Sequence, residues 1–95
     1  MLESAIEASA VKKARRAGWR SVKIGFSGLP DRQFFQRRIY IWIEFKRPGN
    51  GLSPLQRVKF AELEAAGELA YVARSADECM GYLNEHSWWL NDHGL

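Results

Sequence analysis

The segment Ile39-Tyr-Ile-Trp-Ile-Glu-Phe-Lys46 constrains the fold more than any other part of the chain. Its residues alternate strictly, with Ile39, Ile41, Ile43 and Phe45 on one side and Tyr40, Trp42, Glu44 and Lys46 on the other. A strand turns successive side chains to opposite faces, so the pattern predicts a strand buried on its isoleucine face. Its β-branched and aromatic residues suit a pleated surface. The second face sets a carboxylate, Glu44, and an ammonium, Lys46, side by side on a rigid element, which suits chemistry better than mere solvation.

Turn signals divide the rest of the chain into short elements without linkers, repeats or low-complexity tracts. Residues 3–17 read as an alanine-rich helix closed by Gly18, with Arg15 and Arg16 at the negative end of its dipole. Trp19 to Ile24 reads as a first strand. Asp31 to Phe35, after the turn segment Gly25-Phe-Ser-Gly-Leu-Pro30, begins a second, which turns near Gln36-Arg-Arg38 into the third strand, 39–46. Ser53 and Pro54 announce a helix reaching about Ala66, and Glu68 to Val72 forms a fourth strand. Ser75-Ala-Asp-Glu78 is a capping box for a last helix, through Glu85 or Trp89. The order α-β-β-β-α-β-α, with a helix crossing between strands three and four, favours an α/β fold: a mixed sheet flanked by helices. At 95 residues, 46% of them apolar, the chain (1–95) is expected to be one small domain.

The net charge of +3 conceals an uneven distribution. Residues 1–59 carry 13 Lys/Arg against 4 Asp/Glu, whereas residues 60–95 carry 1 against 7. A strongly basic segment suits a polyanionic partner, nucleic acid before a membrane. Cys79 is the single cysteine and cannot form an internal disulfide. No signal-peptide core or long apolar run is present, so the expected location is the cytoplasm. Cys79, His86 and His93 lack the spacing of a zinc site or a nucleophilic dyad.

Helical geometry singles out further acids. At roughly 100° per residue, Leu2, Ala10, Ala14 and Ala17 share an arc with Ile6, and Glu3 falls within it. Glu3 is therefore expected to point inward, where a carboxylate must be paired, protonated or bound to a cation. Glu7 lies more laterally on the same side. Lys12, Arg15 and Arg16 lie opposite. On the second helix Gln56 shares a line with Phe60 and Leu63 and faces the sheet, while also completing a capping box with Ser53. Asp31 stands at the mouth of a strand beside Glu44, although a turn aspartate would also be ordinary there.

Gly28-Leu-Pro-Asp31, Ile43-Glu-Phe-Lys-Arg-Pro-Gly49 and Leu52-Ser-Pro-Leu-Gln56, behind an acidic first helix, together resemble the virus-type replication-repair nuclease family, VRR-NUC, of the PD-(D/E)XK superfamily. The resemblance runs from Glu3 to about residue 83. It implies a restriction-endonuclease-like fold and a Mg²⁺-dependent nuclease, with Mn²⁺ able to substitute. By matching positions, Asp31, Glu44 and the Phe45 backbone carbonyl would hold the metal. Lys46 would be the catalytic lysine, Gln56 the motif glutamine and Glu3 the acid of the first helix, with Glu7 the second choice. Phosphodiester hydrolysis needs such a set, because hard oxygen ligands bind Mg²⁺ and an adjacent cation assists at the phosphate.

The basic residues then gain a role. Lys12, Arg15, Arg16, Arg20, Lys23, Arg32, Arg37, Arg38, Arg47 and Arg57 are expected to contact DNA phosphates, which give affinity without sequence readout. Structure-selective cutting follows better than site-specific restriction. Stand-alone members of the family look like phage-encoded, homodimeric Holliday-junction resolvases, so a homodimer acting in DNA repair or recombination is implied. Tyr82 to Leu95, with Trp88 and Trp89, would supply the dimer surface. The rival reading is a non-catalytic DNA- or junction-binding module on a nuclease scaffold. An RNA-binding module is disfavoured, because no aromatic stacking motif is expected on an exposed strand.

Overall fold

The computed structural model describes residues 2–92, the side chains of 88–92 excepted. Seven elements follow in the expected order: α1 (Glu3–Arg16), β1 (Arg20–Lys23), β2 (Arg32–Gln36), β3 (Ile39–Phe45), α2 (Pro54–Ala65), β4 (Leu69–Ala73) and α3 (Ala76–Asp92). α3 outruns its expected end because no glycine or proline interrupts residues 82–92. Trp19 is not the first strand residue. Gly18, at φ 91°, ends α1 in the left-handed conformation, and the Trp19 N–H closes on the Ala14 carbonyl at 2.9 Å.

The sheet order is β1-β2-β3-β4, antiparallel except for the parallel pair β3/β4. β2 and β3 are joined by only Arg37 and Arg38, since Gln36 pairs with Ile39. Both arginines have positive φ, 47° and 73°, as a tight hairpin of right-handed strands requires. Glycine or asparagine is the usual occupant, and arginine carries backbone strain there.

The isoleucine face is buried as the alternation predicts, with Ile41, Ile43 and Phe45 fully enclosed. α1 sets Ile6, Ala10 and Ala14 against it, and α3 adds Cys79 and Leu83. Leu2 and Ala17 depart from the expected apolar arc and are exposed, because they occupy the two caps of α1. α2 lies on the other face, over β4, and buries Phe60. The loop before β2 packs under the first turns of α2. Gly28 has φ 84°, and a Cβ there would lie 2.6 Å from Leu55 Cγ. Among the described residues no helix is long and apolar enough to cross a membrane.

Candidate active site

Strand register builds the site. The β2/β3 ladder ends at the pair Arg32 and Ile43, so one step further sets Asp31 level with Glu44 and two steps set Pro30 opposite Phe45. The Ile24 N–H donates to the Asp31 carbonyl at 2.8 Å, which turns the Asp31 backbone toward β1 and the Pro30 backbone toward β3. Proline has no N–H, so it offers nothing to the Phe45 carbonyl. The Phe45 N–H is taken instead by the Asp31 side chain, donating to Oδ2 at 2.8 Å. Buried Pro30 thus leaves a strand carbonyl without its ladder donor, beside a carboxylate that has replaced the ladder acceptor.

Glu44 is 4% exposed, the only charged residue among the buried side chains described. Its Oε2 accepts a hydrogen bond from Gln56 Nε2 at 3.1 Å and lies 3.7 Å from Lys46 Nζ. Its Oε1 is buried and has no hydrogen-bond partner among the described residues. Burial and the Asp31 carboxylate push the Glu44 carboxyl up to about 7, against the attraction of Lys46 and of the Asp31 backbone N–H. Asp31 is also raised, first by burial, with the Phe45 N–H and Lys23 acting the other way. Two neighbouring acids, Glu44 buried with a bare oxygen and Asp31 partly open to solvent, make a site that favours a cation.

Gln56 fulfils both expectations at once. Its Oε1 accepts from the Ser53 N–H at 2.9 Å, and its own N–H donates to Ser53 Oγ at 3.2 Å, completing the capping box. The remaining amide nitrogen reaches Glu44. The cap holds the side chain in the orientation that serves the acid.

The two helix acids exchange their expected burial, though not a metal-binding role. Glu7 is the more enclosed, its side chain 13% exposed against 40% for Glu3. It accepts from Lys23 Nζ at 2.9 Å and Arg32 Nε at 2.6 Å. Glu3 instead accepts from the Arg47 N–H at 3.3 Å, close enough for its charge to raise both Asp31 and Glu44. Among the described residues no three acidic, histidine or cysteine side chains converge on one metal position. The register and the Phe45 N–H bring Asp31 and Glu44 together, and Glu3 does not complete a three-acid cluster with them among the described residues.

Lys23 and Arg32, expected at phosphates, are the two cations on Glu7. Arg32 also donates to Ser21 Oγ at 3.1 Å. Both remain near the site, Lys23 Nζ lying 3.9 Å from Asp31 Oδ1. Lys12, Arg15, Arg16, Arg20, Arg37, Arg38, Arg47 and Arg57 are exposed, as phosphate contacts would be. The loop after Lys46 is tied down at both ends. Glu3 holds its start, and the Arg74 guanidinium donates to the Asn50 carbonyl at 2.8 Å. Sequence reasoning missed Arg74, whose only signal is an isolated arginine after a strand.

His86 is structural: its Nε2 lies 2.6 Å from the Tyr71 hydroxyl, and Tyr71 stacks on Tyr82. Cys79 is fully buried, and burial pushes its thiol up to about 12. In the segment expected to supply a dimer surface, Tyr82 and His86 pack against Tyr71 within the chain, and Trp88, Trp89 and His93 lie outside the described side chains.

Comparison with known proteins agrees with the geometry. Among curated proteins none matches this chain in sequence. A solved structure described as a VRR_NUC domain superposes with a TM-score of 0.76 at 22% identity, covering 88% of this chain and 95% of that one, which shows a common fold. The VRR-NUC domain family matches residues 2–77. That span holds the paired acids, the lysine and the capping glutamine on a nuclease-type fold, and the chain belongs to the VRR-NUC family.

Proposed function

We propose that this protein is a Mg²⁺-dependent, structure-selective DNA endonuclease that hydrolyses phosphodiester bonds in branched DNA. The observation that carries the reading is the buried, unpartnered Glu44 Oε1 beside Asp31. Asp31, Glu44 and the Phe45 carbonyl would hold the ion, and Mn²⁺ would suit the same oxygen donors. When bound, Mg²⁺ offsets charge on the phosphate and makes a coordinated water more acidic.

The chain's own residues do the rest. Gln56 fixes Glu44 Oε2 and leaves Oε1 as the free donor atom. Lys46, half-buried beside Glu44, donates a hydrogen bond to the scissile phosphate or orients the attacking water. Exposed arginines and lysines on the basic portion grip phosphates without reading bases. Together with the family likeness, this supports a resolvase-like homodimer in replication, repair or recombination. Its setting would be the cytoplasm of a bacterial host, encoded by a phage or prophage.

The test is a panel of four-way junctions, flaps, nicked and linear duplexes with Mg²⁺ or Mn²⁺, beside a measurement of oligomeric mass. Junction cutting by a dimer is expected, lost in Lys46→Ala while binding persists. Binding without cutting by the parent protein would refute the enzyme and favour a non-catalytic junction-binding module.

A further inference from the structure

On the sheet face that carries Glu44, α2 packs over β4 and reaches β3 at Glu44 through Gln56. Across β1 to β3 the registers align three rows on that face. The acid row holds Asp31 level with Glu44, the middle row is Val22, Gln33 and Trp42, and the far row is Arg20, Phe35 and Tyr40. Successive rows are two residues apart, so the far row lies about 13 Å along the strands from the acids. Tyr40 is 50% exposed and Val22 45%. Phe35 and Tyr40 stack with ring centroids 6.3 Å apart. An aromatic pair on an open strand face was not expected from the sequence, because it forms only when β2 and β3 pair in this register.

The charge around that row is basic. Arg20 belongs to it, and the strained hairpin tip adds exposed Arg37 and Arg38 beside Tyr40. Two consecutive left-handed arginines where glycine would be relaxed point to a use for the side chains. The acid at the row's end, Glu68, is occupied by the Trp42 indole N–H at 3.1 Å. A second copy packed by two-fold symmetry about this face would bring the arginine clusters together, like charge on like.

We propose that this face is a stacking platform for single-stranded DNA. On it, unpaired bases leaving the cut site lie on Phe35 and Tyr40 while Arg20, Arg37 and Arg38 hold the phosphates. Any base has a π-face, so such a platform tolerates any sequence. The inference deepens the proposed nuclease reading by naming the substrate class: branched DNA with an unpaired flank. Its test needs no cleavage, and so it stands or falls apart from that reading.

Fluorescence anisotropy in EDTA with labelled oligothymidylate and with a blunt duplex is the measurement. Tyr40→Ala should weaken single-strand binding about tenfold, as expected for loss of one stacked base. Tyr40→Phe should restore it, and duplex binding should be unchanged in both. Thermal melts confirm that these variants fold. Equal loss in Tyr40→Ala and Tyr40→Phe, no loss in Tyr40→Ala, or no single-strand binding by the parent overturns the proposal, even where Mg²⁺-dependent cutting is intact. Dissociation of a dimer by Tyr40→Ala with unchanged single-strand affinity overturns it in favour of a second copy on this face.

Discussion

Replacing Glu44 by glutamine should make the metal-free protein more stable at alkaline pH, the reverse of the usual result for a buried, hydrogen-bonded side chain. The Glu44 carboxyl titrates at about 7 in the folded chain against 4.5 when unperturbed. Between those values the native state binds the proton that the unfolded state has released, so stability falls as pH rises through the window. At pH 8 the difference corresponds to about 3 kcal/mol. Glutamine keeps an oxygen for Gln56 Nε2 but puts an N–H where Oε1 has no partner, which returns roughly 1–2 kcal/mol. A net gain of about 1–2 kcal/mol remains, or about 5–10 °C in Tm for a chain of this size. Thermal unfolding followed by circular dichroism in EDTA, at pH 8 and pH 4, measures it. The gain should be present at pH 8 and absent at pH 4, where the wild-type carboxyl is protonated. Equal stabilities at pH 8, or a difference that ignores pH, would refute the reasoning.

Pro30→Ala should restore a backbone N–H opposite the Phe45 carbonyl and weaken the Mg²⁺-dependent rise in Tm by about tenfold in midpoint concentration, with the fold unchanged by circular dichroism. Gly28→Ala should cost about 1–3 kcal/mol in urea unfolding, because φ is 84° and the added Cβ meets Leu55. An unchanged midpoint would show that the loop repacks freely. Cys79 should be silent to a thiol reagent at pH 8 in the native protein and react fully in denaturant, given its buried thiol.

What could be read from the sequence was local. β3 follows from alternation within one segment, and the start of α2 from Ser53, Pro54 and Gln56, three residues within one helical turn. The Glu44 and Lys46 pair needs only the period of a strand. What could not be read depends on how distant strands meet. Glu7 is enclosed because β1 and β2 deliver Lys23 and Arg32 to it, and no helical wheel contains that information. The wheel ranked Glu3 above Glu7 by angle alone, whereas position along the helix decided the outcome: Glu3 is in the first turn, within reach of the loop after Lys46. Arg37-Arg38 carries none of the glycine or asparagine that marks a two-residue hairpin. Pro30 shows both limits, since its missing N–H is plain in the sequence but what that omission leaves free is visible only in the register.

The three hydrogen bonds of Gln56, two through its side-chain amide and one through its backbone N–H, make the start of α2 a reporter of the charge on β3. A change at Glu44 that draws Oε2 away releases one hydrogen from Gln56, and the same side chain is what holds the Ser53 N–H. Protonation or ion binding at the strand would therefore be felt as fraying or tightening of the first helical turn. Amide hydrogen exchange at Ser53 and Gln56 would follow the state of the acid without any substrate present. The same linkage limits engineering: the helix cannot be recapped at this turn without also resetting the carboxylate it faces.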